Sequence, residues 1–189
     1  MKAERNLMAS ACSTAPAFDE ASLVDRLKRG DQAAAREFYE LYAARVHRFI
    51  LHALGRGNDS DAEDLLQETF MALAEALPFF RGQSSLFTFA CAIAHRKVIS
   101  LIRTRIRRGQ VMLTEADAAI EDRGASHADR DMRRALEKLR SEHREALVLK
   151  YVEEMSVAEI ATVLSVSEHA VESRLARARK ALARALEEK

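Results

Sequence analysis

The sequence predicts an all-α chain of two small helical domains: a four-helix N-terminal domain and a C-terminal helix-turn-helix domain, joined by a flexible linker. Three observations lead there. Ala, Leu, Arg and Glu fill a chain of 189 residues that holds 6 Gly, 2 Pro and no Trp, so good helix formers abound and helix breakers are few. Apolar residues recur at steps of three and four along most of the chain, the period of a helix with one buried face. Residues 109–128 interrupt that period with net negative charge and the stretch Gly124-Ala125-Ser126, the composition of a connector. At 48% hydrophobic and 31% charged, the chain is able to bury one modest core or two small ones.

Each element follows from local signals. Residues 1–21 lack an apolar run long enough for a signal segment and are expected to form a flexible tail. Ser22 is placed to cap a short helix ending before Gly30, and Asp31 to cap a second. In the second, Phe38, Leu41, Tyr42, Val46, Phe49, Ile50 and Ala53 form one stripe, which Gly55-Arg56-Gly57-Asn58 stops. A third helix opens at Asp59 or Ser60, carries Leu66, Phe70, Leu73 and Leu77 on its apolar side, and ends at Pro78. A loop over residues 79–85 leads to a fourth from about Leu86, with Phe89, Ile93, Ile99 and Ile102 as its apolar positions. Residues 22–108 thus make the first domain, and 129–189 the second. In the latter, helical period returns over 132–139, 142–152, 157–164 and 167–186.

Net charge is +1, which decides nothing alone; its distribution is more telling. From Ile93 to Gln110 there are six basic residues and no acid, and from Val111 to Met132 six acids against Arg123 and Arg130. A second acid-free basic run spans Arg174 to Arg184. Cys12 and Cys91 stand far apart with no ligand cluster near them, so neither a disulfide framework nor zinc is expected, and a reducing cytoplasm fits. His47, His52, His95, His127, His143 and His169 form no metal-ligand spacing, which leaves a metalloenzyme without support. No cofactor, catalytic residue or membrane insertion is expected.

The strongest local signal is the helix over 157–164, the turn Ser165-Val166-Ser167 and the longer helix that follows. Ala161 permits a close helix crossing, and Ile160, Leu164, Val166, Val171 and Leu175 are spaced to fill a shared core, the pattern of a helix-turn-helix. Its second helix offers Ser173, Arg174, Arg177 and Arg179-Lys180 to phosphates and base edges.

Residues 147–179, from Leu147-Val148-Leu149-Lys150-Tyr151-Val152-Glu153-Glu154-Met155-Ser156 through Ser173-Arg174-Leu175-Ala176-Arg177-Ala178-Arg179, resemble region four of the extracytoplasmic-function sigma factors. The resemblance implies binding of the minus-thirty-five promoter element, with Ser167, His169, Ser173, Arg174, Arg177 and Lys180 as contacts. Glu172 departs from the family, which usually has Lys or Arg there, and Arg140 stands where Pro is common.

Asp61-Ala62-Glu63-Asp64-Leu65-Leu66-Gln67-Glu68-Thr69-Phe70 resembles the region two segment that meets the polymerase β′ coiled coil, implying core binding by Asp61, Asp64, Gln67 and Glu68. Acids in a first helical turn suit the helix dipole, but Glu68 lies one turn beyond Asp64, where like charges cost roughly 0.2–0.5 kcal/mol and a basic partner surface would account for it. Phe80-Arg81-Gly82-Gln83-Ser84-Ser85-Leu86-Phe87-Thr88-Phe89 resembles the loop and helix start that capture an unpaired minus-ten base. Arg81, Ser84, Ser85 and Phe87 are its candidates, beside a helix N-terminus suited to phosphate, whereas Phe80 and Phe89 read as core.

Arg96, Lys97 and Arg103 extend this minus-ten surface along the fourth helix, where Arg96, Ser100 and Phe89 replace the family's usual Asn, Asp and Trp. The resemblance implies a promoter-specificity factor with core RNA polymerase (β′ and β subunits), promoter DNA and an anti-sigma factor as partners. Two alternatives are a sigma-mimicking decoy and an ordinary helix-turn-helix regulator. The first would not need the two basic surfaces, and the second leaves the first domain unexplained.

Overall fold

The computed structural model describes residues 19–55, 57–109 and 127–187, and among them every regular element is a helix. The first half comprises α1 (Glu20–Lys28), α2 (Gln32–Leu54), α3 (Asp59–Ala76) and α4 (Leu86–Arg107), with a single 3₁₀ turn, Leu77–Phe79, after α3. The second comprises α5 (His127–Glu137), α6 (Ser141–Leu147), α7 (Val157–Leu164) and α8 (Glu168–Glu187), with a π turn, Val148–Val152, continuing α6.

Caps fix most of these ends. Asp19, rather than Ser22, caps α1, accepting from the Ser22 amide at 3.3 Å, so the helix starts a turn earlier than the sequence suggests. Asp31 caps α2 as expected, accepting from Ala33 and Ala34, and Gly55 closes it with φ +83°, a conformation that costs glycine little. Pro78 sits inside the 3₁₀ turn that ends α3. Ser156 and Glu159 form a reciprocal capping box at the start of α7, which satisfies two backbone N–H groups at once. The helix expected over 142–152 widens after Leu147, where Glu153 N donates to Val148 O at 3.0 Å.

The expected linker, 109–128, falls largely on residues 110–126, outside the described residues, as do residues 1–18 of the expected tail; α5 begins inside the former span, at His127. The second half lies against the first, α7 on α4 and α6 on α2, and one continuous core runs from Leu23, Phe49 and Ile50 through Leu86 and Val98 to Leu149, Ile160 and Val171.

Helix α4 is the centre of this arrangement, packed by α2, α3 and α7. Ala90, Cys91, Ala92, Ile93 and Ala94 are therefore all buried in succession, a pattern that a helix shows when covered all round. The apolar stripe expected from Phe89, Ile93, Ile99 and Ile102 is only part of the answer. Ala90, Ala94 and Val98 are fully buried, whereas Phe89 and Ile102 are partly so. Small residues there let the neighbouring backbones approach closely, a property that hydropathy does not register. Similarly, α3 buries Ala62, Leu65, Thr69 and Leu73, with Leu66 and Phe70 at the margin.

Candidate polymerase and nucleic-acid interfaces

The acidic face of α3 is outward. Asp64, Gln67 and Glu68 are exposed and Asp61 is half-buried. Two of the four acquire basic partners within the chain: Glu68 Oε2 lies 3.0 Å from Lys97 Nζ, and Asp61 accepts a short hydrogen bond from Arg105, which also donates to Asn58 Oδ1 at 2.7 Å. The surplus acid at Glu68 thus has an intramolecular explanation in α4. An exposed pair of this kind contributes roughly 0–1 kcal/mol, leaving the carboxylate available to a stronger basic surface.

The loop between α3 and α4 is held from below by α1. Lys28 Nζ donates to Phe80 O at 2.7 Å, and Glu20 Oε1 accepts from the Leu86 amide at 2.8 Å. Ser85 caps α4, accepting from Thr88 N at 3.1 Å. Two of the amides expected to attract phosphate are therefore occupied, one by a carboxylate that would repel it.

Phe87 is a clearer correction. It is 5% exposed, stacked on Tyr42 with centroids 5.5 Å apart and covered by the Arg45 guanidinium at 3.7 Å, so its ring is a core element in this arrangement. Phe80 and Phe89 pair at 5.0 Å, in keeping with their reading as packing residues. Arg81 is exposed and Ser84 half-buried, its hydroxyl donating to Ser85 O. The aromatic ring that projects from this loop is Phe79, 81% exposed beside Arg81. Sequence reasoning missed it because two adjacent phenylalanines differ only in how the 3₁₀ turn aims them.

Along α4, Arg96, Ser100, Arg103, Ile106 and Arg107 line an open groove. Arg96 Nε donates to Ala92 O and Arg107 to Thr104 Oγ1, contacts that orient the guanidiniums along the helix. Lys97 points the other way, towards Glu68. The basic run is thus split between two faces.

In the second half, Ser165 adopts φ +54° in the tight turn and Ser167 Oγ accepts from Ala170 N, capping α8. Ser167 therefore spends its hydroxyl on the helix start. Val171, Leu175 and Ala178 face the core, while His169, Ser173, Arg177 and Lys180 are exposed along with Glu172. Arg174 is half-buried, and its charge reaches both Glu145 of α6 and His95 of α4.

Charged contacts join the halves. Glu153, fully buried, accepts from Arg45 Nε at 2.9 Å and from Arg48 Nη2 at 2.8 Å. Glu159 accepts from Thr88 Oγ1 at 3.0 Å, and hydrogen bonds from Ser156 and Thr88 hold its carboxyl below the usual range. Buried Arg144 donates to His52 O at 2.6 Å. None of these pairs was legible in the sequence, since their members lie 71 to 108 residues apart.

Residues 38–108 match the family model described as Sigma-70 region 2, and residues 129–182 the one described as Sigma-70, region 4. The sigma factor SigM of Mycobacterium tuberculosis is 30% identical, over 88% of this chain and 84% of its own length. SigW of Bacillus subtilis is 27% identical, over 86% and 94% respectively. Among solved structures, the sigma factor RpoE of Bartonella quintana, crystallised with the anti-sigma factor NepR, superposes with a TM-score of 0.70 at 25% identity, covering 82% of this chain and 97% of that one. With both sigma regions in order and relatives aligned over most of its length, the chain belongs to the extracytoplasmic-function RNA polymerase sigma factors.

Proposed function

We propose that this sigma factor recruits core polymerase through the outward face of α3, with Asp64 and Gln67 at its centre, Asp61 exchanging Arg105 and Glu68 exchanging Lys97 for basic groups of the β′ subunit. The same face carries exposed Met71 one turn on from Gln67, giving an apolar contact beside the charges. Residues 22–108 act as the minus-ten and core-binding unit and 129–189 as the minus-thirty-five unit, as non-catalytic parts of transcription initiation in the cytoplasm.

At the minus-ten element, Arg81 and Phe79 offer a cation and a ring to unpaired DNA, with Ser84 and Ser85 shaping the loop. Arg96 and Arg103 follow the backbone along the α4 groove. At the minus-thirty-five element, His169, Ser173, Arg177 and Lys180 face the major groove from α8, with Arg174 joining them once it leaves Glu145.

Control by an anti-sigma factor is part of this reading, because the structural relative RpoE was crystallised with one. The observation that carries the proposal is the pairing of two outward cationic surfaces, one in each sigma region, which a decoy that only occupies an anti-sigma factor would not need. Transcription reconstituted from purified core polymerase and a promoter library tests it: enrichment of a bipartite promoter is expected, and no stimulation of core on any template would overturn it.

A further inference from the structure

We infer that Glu172 is a base-reading residue of α8, accepting a hydrogen bond from the exocyclic amino group of a cytosine in the upstream promoter element. This role rests on the assignment of α8 to that element above, and it names the base that one side chain selects.

The core fixes how α8 is turned. Val171, Leu175 and Ala178 are buried, so at 3.6 residues per turn the stripe pointing away from the protein is His169, Ser173, Ala176 and Lys180, all of them exposed. Exposed Glu172 flanks this stripe on one side and Arg177 on the other. In a helix-turn-helix the first turns of the second helix reach base edges, and Glu172 lies in the second turn of α8. Ala176, one turn further along, leaves room beside it for a base pair.

Nothing among the described residues accounts for a carboxylate there. The residues three and four positions away are His169, Glu168, Leu175 and Ala176, so no Lys or Arg stands at ion-pair spacing, and Glu168 is a like charge that disfavours the helix. Arg179, on the same flank, donates to the Tyr151 hydroxyl at 3.2 Å, and Arg177 turns back to Ser173 O at 3.2 Å. Among the described residues Glu172 has no hydrogen-bond or ion-pair partner. The helix dipole explains Glu168 in the first turn, but its pull has faded by Glu172.

Towards DNA, a carboxylate repels phosphate and so lowers affinity for duplex in general, unless a base donates to it. In the major groove cytosine presents its N4 amino group, guanine two acceptors, and thymine an acceptor and a methyl group. Adenine sets an acceptor beside its amino group, which suits a carboxamide better than a carboxylate. A carboxylate only accepts, so it selects cytosine and is repelled by guanine and thymine. Glu172 thus discriminates by exclusion as much as by attraction.

The test uses holoenzyme reconstituted from core polymerase and the full chain, with promoters randomised over the upstream element and binding then titrated on single-base variants. The unchanged factor should enrich a cytosine at one position, about tenfold over thymine. Glu172→Ala should abolish that preference, binding the cytosine-bearing promoter about threefold more weakly and the thymine-bearing one about threefold more tightly, because the repulsion leaves with the acid. Glu172→Gln, which keeps the shape and adds a donor, should move the preference to adenine. Helicity and thermal unfolding should be unchanged in both, since the position is exposed and Ala and Gln are good helix formers.

A bystander acid gives a different result: Glu172→Ala then tightens every promoter alike and leaves base preference as it was, which would overturn the reading role. An enriched element without a cytosine that responds to either substitution would overturn it too. Enrichment of no upstream element by the unchanged factor would overturn the assignment of α8 itself, an outcome distinct from an enriched element that is indifferent to Glu172.

Discussion

His95 Nδ1 of α4 lies 3.4 Å from Glu145 Oε2 of α6, an acid and an imidazole meeting inside the seam between the two sigma regions. Burial pushes Glu145 up from 4.5 to about 7, against the pull of Arg144 and Arg174. Burial also pulls His95 below its usual 6.5, helped by Arg174 and Arg96.

A pH dependence follows, with two opposing limbs. For Glu145 the folded form holds its proton more tightly than the unfolded one, so its contribution is full below pH 4.5 and is lost as pH rises through about 7. For His95 the contribution is present above pH 6.5 and is lost as pH falls through the lower folded value. Urea titrations from pH 5 to 8.5 should show stability declining towards the alkaline end. Glu145→Gln should flatten that decline, gaining on the order of 1–3 kcal/mol at pH 8. A Gln variant with the full alkaline slope would exclude Glu145 as its source.

Core binding should respond to Asp64→Lys, a reversal at an exposed position of α3. Affinity for core polymerase is expected to fall about tenfold, or about 1.4 kcal/mol, with thermal unfolding little changed. Lys97→Ala, which only removes the intramolecular partner of Glu68, should leave core binding the same or slightly tighter. Competition with a labelled sigma factor measures both.

The two arginines of α8 should differ in kind. Arg177, exposed and back-bonded to Ser173 O at 3.2 Å, is oriented for phosphate, so its change to Ala should weaken binding to all sequences and lower the salt slope by about one. Arg174→Ala should cost roughly 1–3 kcal/mol and relax preference at one base pair. Titrations at several salt concentrations, on the upstream element and its single-base variants, separate these outcomes.

Glu154 is exposed and adopts φ +56°, left-handed backbone that a non-glycine residue occupies at a cost of about 1 kcal/mol. Glu154→Gly should therefore stabilise the protein by about that amount without altering DNA binding, as chemical denaturation would register. A destabilised Gly variant would mean that the Glu154 side chain makes a contribution larger than the strain.

The helices and their caps were determined locally and so were readable: Asp31, the Gly55 stop, the start of α4 at Leu86 and the whole helix-turn-helix follow from periodicity and side chains a few residues apart. The outward faces of α3 and α8 were legible for the same reason, since charge at helical spacing needs no distant partner. What only the tertiary structure decided is which second face each helix buries. Phe87 reads as a loop aromatic until Tyr42 and Arg45 enclose it, the small residues of α4 gain their meaning from α7 lying over them, and Glu153 reads as one more surface acid until α2 brings two arginines to it. These outcomes depend on partners about 40 to 110 positions away in sequence. Burial and charge pairing act through space, whereas periodicity reports only one helix at a time.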